Sequence, residues 1–224
     1  MKRSEINRIM REALAFIEAE KFSLPPFITW TYDQWKEKNS EYDEIKENML
    51  GWDITDFGSG DFAKKGLLMI TIRNGNLNNP KYKKTYAEKL LISDENQVTP
   101  YHFHWSKMED IINRGGGTLV IRCYNSDKDG GMLDTPVTVY IDGRTYQVNA
   151  GERIELKRGE SITLPTGQYH SFWAEGAKCL IGEVSTINDD NVDNRFHEKV
   201  GRFPEIEEDE PILYPLFSEY PNRG

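Results

Sequence analysis

His102 and His104 stand two residues apart in the stretch Pro100-Tyr101-His102-Phe103-His104-Trp105. In an extended strand side chains alternate, so both imidazoles point to one face and Phe103 to the other. Glu109 follows five residues after His104, and Gly115-Gly116-Gly117 reads as a sharp turn beyond it. Far downstream, Pro165-Thr166-Gly167-Gln168-Tyr169-His170 sets a third histidine at the start of a strand, just past a tight turn. Three neutral imidazoles and one carboxylate make a good donor set for a divalent first-row metal, with one or two positions left for a substrate. A lone histidine is more often a structural residue, and so is a lone His-x-His pair. The two segments together are what point to metal. His197 lies outside both, in a polar tail, and reads as solvated or structural.

The elements that must position these residues are mostly strands. Short apolar runs bounded by Gly, Asn, Pro and Asp fall at 67–72, 86–92, 102–105, 118–124, 138–141, 144–148, 153–156, 161–164, 170–174 and 178–184. Asp142-Gly143 between two of them is a two-residue hairpin signal. Many short, closely spaced strands predict an all-β sandwich or barrel. Before them, Ser4 can cap a helix whose stripe is Ile6, Ile9, Met10, Ala13, Leu14 and Ile17, stopped by Pro25 and Pro26. Thr31 and Gln34 have capping-box spacing for a second, polar helix. Residues 51–60 read as turn-rich, and the acidic run 205–210 as a solvated face. The expected organisation is one domain: a helical extension over 1–60, a β-barrel over 61–187, and a loop and tail over 188–224.

Composition narrows the class. A chain of 224 residues with ten Phe, eleven Tyr and five Trp can build a sizeable core and is not disordered. A net charge of −9 argues against nucleic acid as a partner. No apolar run approaches the roughly 20 residues of a membrane helix, and no signal-peptide core opens the chain. Two cysteines, Cys123 and Cys179, cannot make a disulfide framework, so a reducing cytoplasm is the expected setting.

The spacing His102-x-His104-x4-Glu109-x6-Gly116, then Gly159-x5-Pro165-x-Gly167-x2-His170, resembles the two motifs of the cupin superfamily. That resemblance implies a cupin-type β-barrel (a double-stranded β-helix), here with an N-terminal helical extension and a C-terminal tail. It also implies His102, His104, Glu109 and His170 as metal ligands. Ala174 stands where an Asn is common, and the long spacer with the Asp142-Gly143 hairpin implies an extra pair of strands. Three phrases look like bacterial D-lyxose isomerases: Gly51-Trp52-Asp53-Ile54-Thr55-Asp56-Phe57-Gly58, the run from Pro100 to Asp110, and Gly182-Glu183-Val184-Ser185-Thr186-Ile187-Asn188-Asp189-Asp190 with Asp193-Asn194-Arg195-Phe196. This second resemblance implies a cytoplasmic, metal-dependent ketol-isomerase, usually with Mn²⁺, acting on free D-lyxose and often D-mannose, and commonly a homodimer.

Aldose–ketose isomerisation needs a base at C2 and stabilisation of a developing oxyanion. Glu183 ends an apolar strand, where a carboxylate is costly unless paired or useful, and is the leading candidate for the base. Glu109, as ligand and proton carrier, is its rival. Lys89 shares a strand face with Ala87 and Leu91, and either stabilises the enediolate or is an exposed lysine. Asp190, Asp193 and Arg195 lie in a polar segment suited to sugar hydroxyls, or to a solvated loop. Trp52, Phe172 and Trp105 are either apolar walls for a sugar ring or core. The same ligand set also suits an Fe²⁺ dioxygenase or a non-catalytic sugar-binding cupin. Lys81, Lys83 and Lys84 leave a phosphosugar substrate open.

Overall fold

Ile6, Ile9, Met10, Ala13 and Ile17 do form one buried stripe, on α1 (Arg3–Ala19). In this computed structural model, which describes residues 1–190, 192–201 and 204–221, Ser4 is not the cap. Its backbone N–H and hydroxyl donate to Asp209 at 2.8 and 2.7 Å. Arg3, fully buried, is clasped by Glu208 and Glu219. Asn7 donates to Glu210 at 3.0 Å and to the Pro211 carbonyl at 2.9 Å. The acidic run is therefore a seat for the positive end of α1, and not merely a solvated face. Thr31 and Gln34 make the predicted capping box on a short α2 (Tyr32–Lys36), and α3 (Asp43–Glu47) follows.

The strands are β1 (Gly51–Thr55), β2 (Leu67–Arg73), β3 (Tyr86–Ser93), β4 (Thr99–His104), β5 (Glu109–Ser126), β6 (Met132–Leu133), β7 (Val137–Ile141), β8 (Arg144–Val148), β9 (Arg153–Leu156), β10 (Ser161–Leu164), β11 (Tyr169–Thr186) and β12 (Asn194–Phe196). They share one antiparallel sheet in the order β1-β2-β3-β11-β5-β10-β7-β8, with β4 on β11, β12 on β4, and β6 and β9 on β5. This path is open and not a closed ring. The residues read as turn-rich begin with β1, which joins the main sheet. β7 and β8 pair across the Asp142-Gly143 turn, where both residues take positive φ, as a two-residue hairpin requires. β7 also joins β10.

Two long strands make the fold. β5 and β11 pair along nearly their whole lengths and bend together, so each serves two layers. The bend lies at Gly116 (φ +82°), where an added Cβ would meet the Lys178 carbonyl oxygen at 2.0 Å. The triple glycine is thus a kink within a continuous strand and not a chain reversal. The runs at 170–174 and 178–184 are halves of β11, with register shifts between Glu175 and Ile181.

β2 and β3 are buried on both faces. Leu67, Met69 and Leu91 join the inner core with Ile111, Ile121, Phe172 and Ile181. Leu68, Ile70, Leu90 and Ile92 face outward and pack with α1, Trp52 and Ile54. The inner face of this double-covered sheet also carries Lys89 and Glu183, directly opposite each other on β3 and β11. No helix among the described residues is long and apolar enough to cross a membrane.

Candidate active site and metal centre

β4 and β11 pair with His102 opposite His170. The ring centroids lie 4.2 Å apart for His102 and His170, 5.3 Å for His102 and His104, and 5.7 Å for His104 and His170. One ring nitrogen from each comes within 4.8 Å of the others, so this three-histidine group could hold a metal ion. His102 Nδ1 lies 2.8 Å from the Pro100 carbonyl oxygen, and His170 Nδ1 lies 3.1 Å from that of Gln168. Those carbonyls assign the ring protons to Nδ1 and turn both Nε2 lone pairs inward. Burial, helped by His170 and His104, holds His102 well below the ordinary histidine range. Burial and the Lys107 ammonium hold His104 below it, against the pull of Glu109. Both rings are therefore neutral at pH 7, as ligands must be.

Glu109, the first residue of β5, places Oε1 3.4 Å from His104 Nε2 and 3.1 Å from His170 Nε2. His170 Nε2 is buried and has no hydrogen-bond partner among the described residues. A ring lone pair facing a carboxylate oxygen is unfavourable unless a proton or a cation lies between them. Glu109 Oε2 lies 2.6 Å from Lys107 Nζ, which in turn donates to Glu183 Oε1 at 2.7 Å. Lys89 Nζ is 3.6 Å from the same Glu183 oxygen, 3.0 Å from Asp190 Oδ2 and 2.8 Å from Asn188 Oδ1. Burial works to raise Glu109, but Lys107 and then His104 outweigh it and hold the carboxyl well below the usual range. Burial likewise works to lower Lys107, yet Glu109, Glu183 and Asp190 keep its ammonium above the usual lysine range. Two ammonium groups thus face three carboxylates. Asp193 adds another, 3.9 Å from His104 Nδ1. The cluster holds excess negative charge that a divalent cation would offset. The donor set fits such an ion.

His102, His104, Lys89, Lys107, Glu109, Glu183 and Asp190 line a cavity whose other side is apolar: Phe57, Leu67, Met69, Leu91, Ile111, Phe172 and Phe196. Lys89, Asp190 and Phe172 lie on its wall. Three other expected sugar contacts lie off it. Trp52 is in the outer layer and its indole donates to the Ile28 carbonyl at 2.7 Å. Arg195 is exposed on β12, because Asn194 and Phe196 on either side of it take the inward face. Asp193 faces the 105–108 loop, accepting from the Ser106 and Lys107 backbone N–H groups at 2.8 and 3.0 Å. Trp105 is 51% exposed and forms no wall. His197 is exposed and outside the site, its backbone N–H donating to the Tyr101 carbonyl at 2.9 Å. Asn191, within the polar segment read as sugar-binding, lies outside the described residues. None of Lys81, Lys83 and Lys84 reaches the cavity; Lys84 pairs with Glu44.

Sequence reasoning passed over Lys107, Asn188, Asn194, Phe57 and Phe196. Lys107 had a legible signal: it sits two residues before Glu109, the spacing that puts two side chains on one face of an extended chain.

Three imidazoles and a carboxylate gathered on adjacent strands inside a two-layer β fold define a site of the cupin type that could hold a metal ion. The sequence model described as D-lyxose isomerase matches residues 1–220, and the chain belongs to that family. A D-lyxose/D-mannose isomerase of Serratia proteamaculans is 46% identical over 98% of both chains. One of Escherichia coli O157:H7 is 45% identical over the same shares. The fold is shared with L-ribose isomerases of Cellulomonas parahominis (TM-score 0.59, 13% identity) and Geodermatophilus obscurus (TM-score 0.61, 14% identity), each covering 92% of this chain and 98% of its own. The protein is an aldose–ketose isomerase.

Proposed function

We propose that this enzyme interconverts D-lyxose with D-xylulose, and D-mannose with D-fructose, by proton transfer through an enediol. The observation that carries the reading is the pair of buried carboxylates, Glu109 and Glu183, held 2.6 and 2.7 Å from one ammonium, Lys107, beside three clustered imidazoles. The names of the relatives support the choice of sugars. His102, His104, Glu109 and His170 would hold a divalent ion, and Mn²⁺ suits their nitrogen and oxygen donors. When bound, that ion supplies Lewis-acid stabilisation of negative charge developing on substrate oxygens.

The chain's own groups do the rest. Glu183 takes the proton from C2 of the open-chain aldose, and the C–H electrons form the C1–C2 double bond. The C1 oxygen gains a proton, which gives the enediol. The O2 proton then leaves and Glu183 returns its proton to C1, so the ketose forms with no redox partner. Lys107 fixes the Glu183 carboxylate, and Lys89 can offer an N–H to a substrate hydroxyl. The apolar wall limits water at the site, so the proton held on Glu183 exchanges with solvent only in part before it reaches C1. A free sugar fits better than a phosphosugar, because both cations on the cavity wall already have carboxylate partners. We further propose a homodimer working in the cytoplasm, which sedimentation and fractionation would test.

The test is isomerisation in D₂O by protein stripped of metal and reloaded with Mn²⁺, followed by NMR. Metal-dependent ketose carrying solvent deuterium is expected from D-lyxose and D-mannose. Glu183→Gln should keep one equivalent of metal and lose C2 exchange. Normal exchange in that variant would pass the base role to Glu109 or Lys89. No ketose from either sugar with metal bound would refute the reading.

A further inference from the structure

Buried polar atoms are nearly always paired, so each exception needs a reason. Among the described residues five buried side-chain atoms have no hydrogen-bond partner. Trp35 Nε1 and Gln168 Oε1 lie away from the cavity. His170 Nε2 faces the other two imidazoles. The remaining two, Thr99 Oγ1 and Asn194 Oδ1, both belong to residues that line the cavity.

The backbone brings both residues to that wall. Thr99 is 1% exposed, and strand alternation alone would send it away from His102. The β4–β11 register slips between His170 and Phe172, so Thr99 pairs with Phe172 and comes to the same side as His102. Its carbonyl is pinned by the Ser171 hydroxyl at 2.7 Å, which leaves its own hydroxyl unused. Asn194 stands in β12 opposite His104. Its Nδ2 donates to the Asp190 backbone and side chain, both at 3.3 Å, so its Oδ1 is the end left over. One hydroxyl and one amide oxygen, both unpaired, therefore lie on a wall whose remaining polar groups are the metal ligands and the Lys89–Lys107 charge network. The rest of that wall offers only carbon.

We infer that Thr99 and Asn194 read the sugar hydroxyls beyond the two reacting carbons, and so set which pentose or hexose the enzyme accepts. This rests on the isomerase reading above. A hydroxyl carries both a donor and acceptors, so it matches Thr99 Oγ1 in either sense and can donate to Asn194 Oδ1. A sugar with the wrong configuration would bury its own hydroxyl against carbon and leave these two atoms unpaired, which is how a polar site rejects analogues.

The test uses Mn²⁺-loaded protein and the variants Thr99→Val and Asn194→Leu. Valine copies the shape of threonine, and Thr99 Oγ1 has no partner to lose. The Thr99→Val protein should therefore keep its metal and unfold at the same or a higher temperature than wild type. Its kcat/KM for D-mannose should nonetheless fall on the order of tenfold. Against 3-deoxy- and 4-deoxy-D-mannose, the penalty should vanish for whichever sugar lacks the hydroxyl Thr99 reads. Asn194→Leu should show the same pattern with one deoxy sugar. Unchanged kcat/KM in both variants, or a loss equal across all three sugars, would overturn the inference and leave the two atoms as holders of trapped water. Calorimetric binding of D-fructose separates the two levels of argument. If wild type binds D-fructose without turning it over and Thr99→Val binds it about tenfold more weakly, the inference stands and the isomerase reading falls. If wild type binds no sugar, both fall.

Discussion

Replacing Lys107 by Met removes a charge and keeps most of the side-chain volume. Lys107 is 2% exposed, and its ammonium bridges Glu109 at 2.6 Å and Glu183 at 2.7 Å. At an effective dielectric of about 20, each of these attractions is on the order of 6 kcal/mol. Desolvation of the ammonium and of the carboxylates costs several kcal/mol per ion. Loss of one member of such a buried group leaves the others uncompensated, at a cost of about 3–5 kcal/mol. For a chain of this length roughly 2–4 °C accompanies each kcal/mol, so the metal-free midpoint should fall by about 6–20 °C. A bound divalent ion changes the sum, because Glu109 keeps a counter-charge from its other side. The deficit should shrink when Mn²⁺ is added, so the metal should raise the variant's midpoint by more than it raises that of wild type. Thermal unfolding of both proteins, with chelator and with Mn²⁺, measures all four midpoints. A metal-free loss under about 1 kcal/mol, the size of a surface pair, would refute the argument. So would equal losses with and without the ion.

The seat of α1 carries a pH signature. Hydrogen bonds from Arg3 hold Glu208 below the usual carboxylate range, and hydrogen bonds from Ser4 do the same for Asp209. Their folded values are depressed, so the stability they confer is complete above the unfolded value of about 4 and is lost as the pH falls through the folded one. Asp209→Asn should lower the midpoint at pH 7 and flatten its fall towards acid; parallel pH curves for the two proteins would contradict this. Gly116→Ala must hold φ near +82° with a Cβ 2.0 Å from the Lys178 carbonyl oxygen, and should cost at least about 2 kcal/mol. An unchanged midpoint would show that β5 does not need its kink. Burial pushes the thiols of Cys123 and Cys179 up to about 12. A thiol reagent at pH 8 should therefore label neither quickly in the native protein and both after denaturant, and fast native labelling would show that the core is open.

The clustering of the three histidines was legible because it depends on parity within a strand and on a glycine turn, and both are written locally. The cavity wall was legible only in part. Parity says that Lys89, Ala87 and Leu91 share a face; it does not say which face is the inside when the sheet is covered on both sides. Lys89 fell on the inner face and Trp52 on the outer, yet each sits in a strand buried almost throughout. In β12 a shift of one residue separates Arg195, which is exposed, from Asn194 and Phe196, which line the cavity. Three residues carry too little pattern to fix that phase. The slip that turns Thr99 inward belongs to the pairing of β4 with β11, so neither strand encodes it alone. The acidic tail fails to declare itself for a different reason. Glu208 and Asp209 have the composition of a solvated face, and what makes them a helix seat is Arg3 and Ser4 at the far end of the chain. Lys107 combines the two cases. Its spacing from Glu109 fixes the shared face, but the need for its charge arises only when Glu183, on another strand, is brought within 2.7 Å. A lone buried lysine would be costly there, and so would either carboxylate without it.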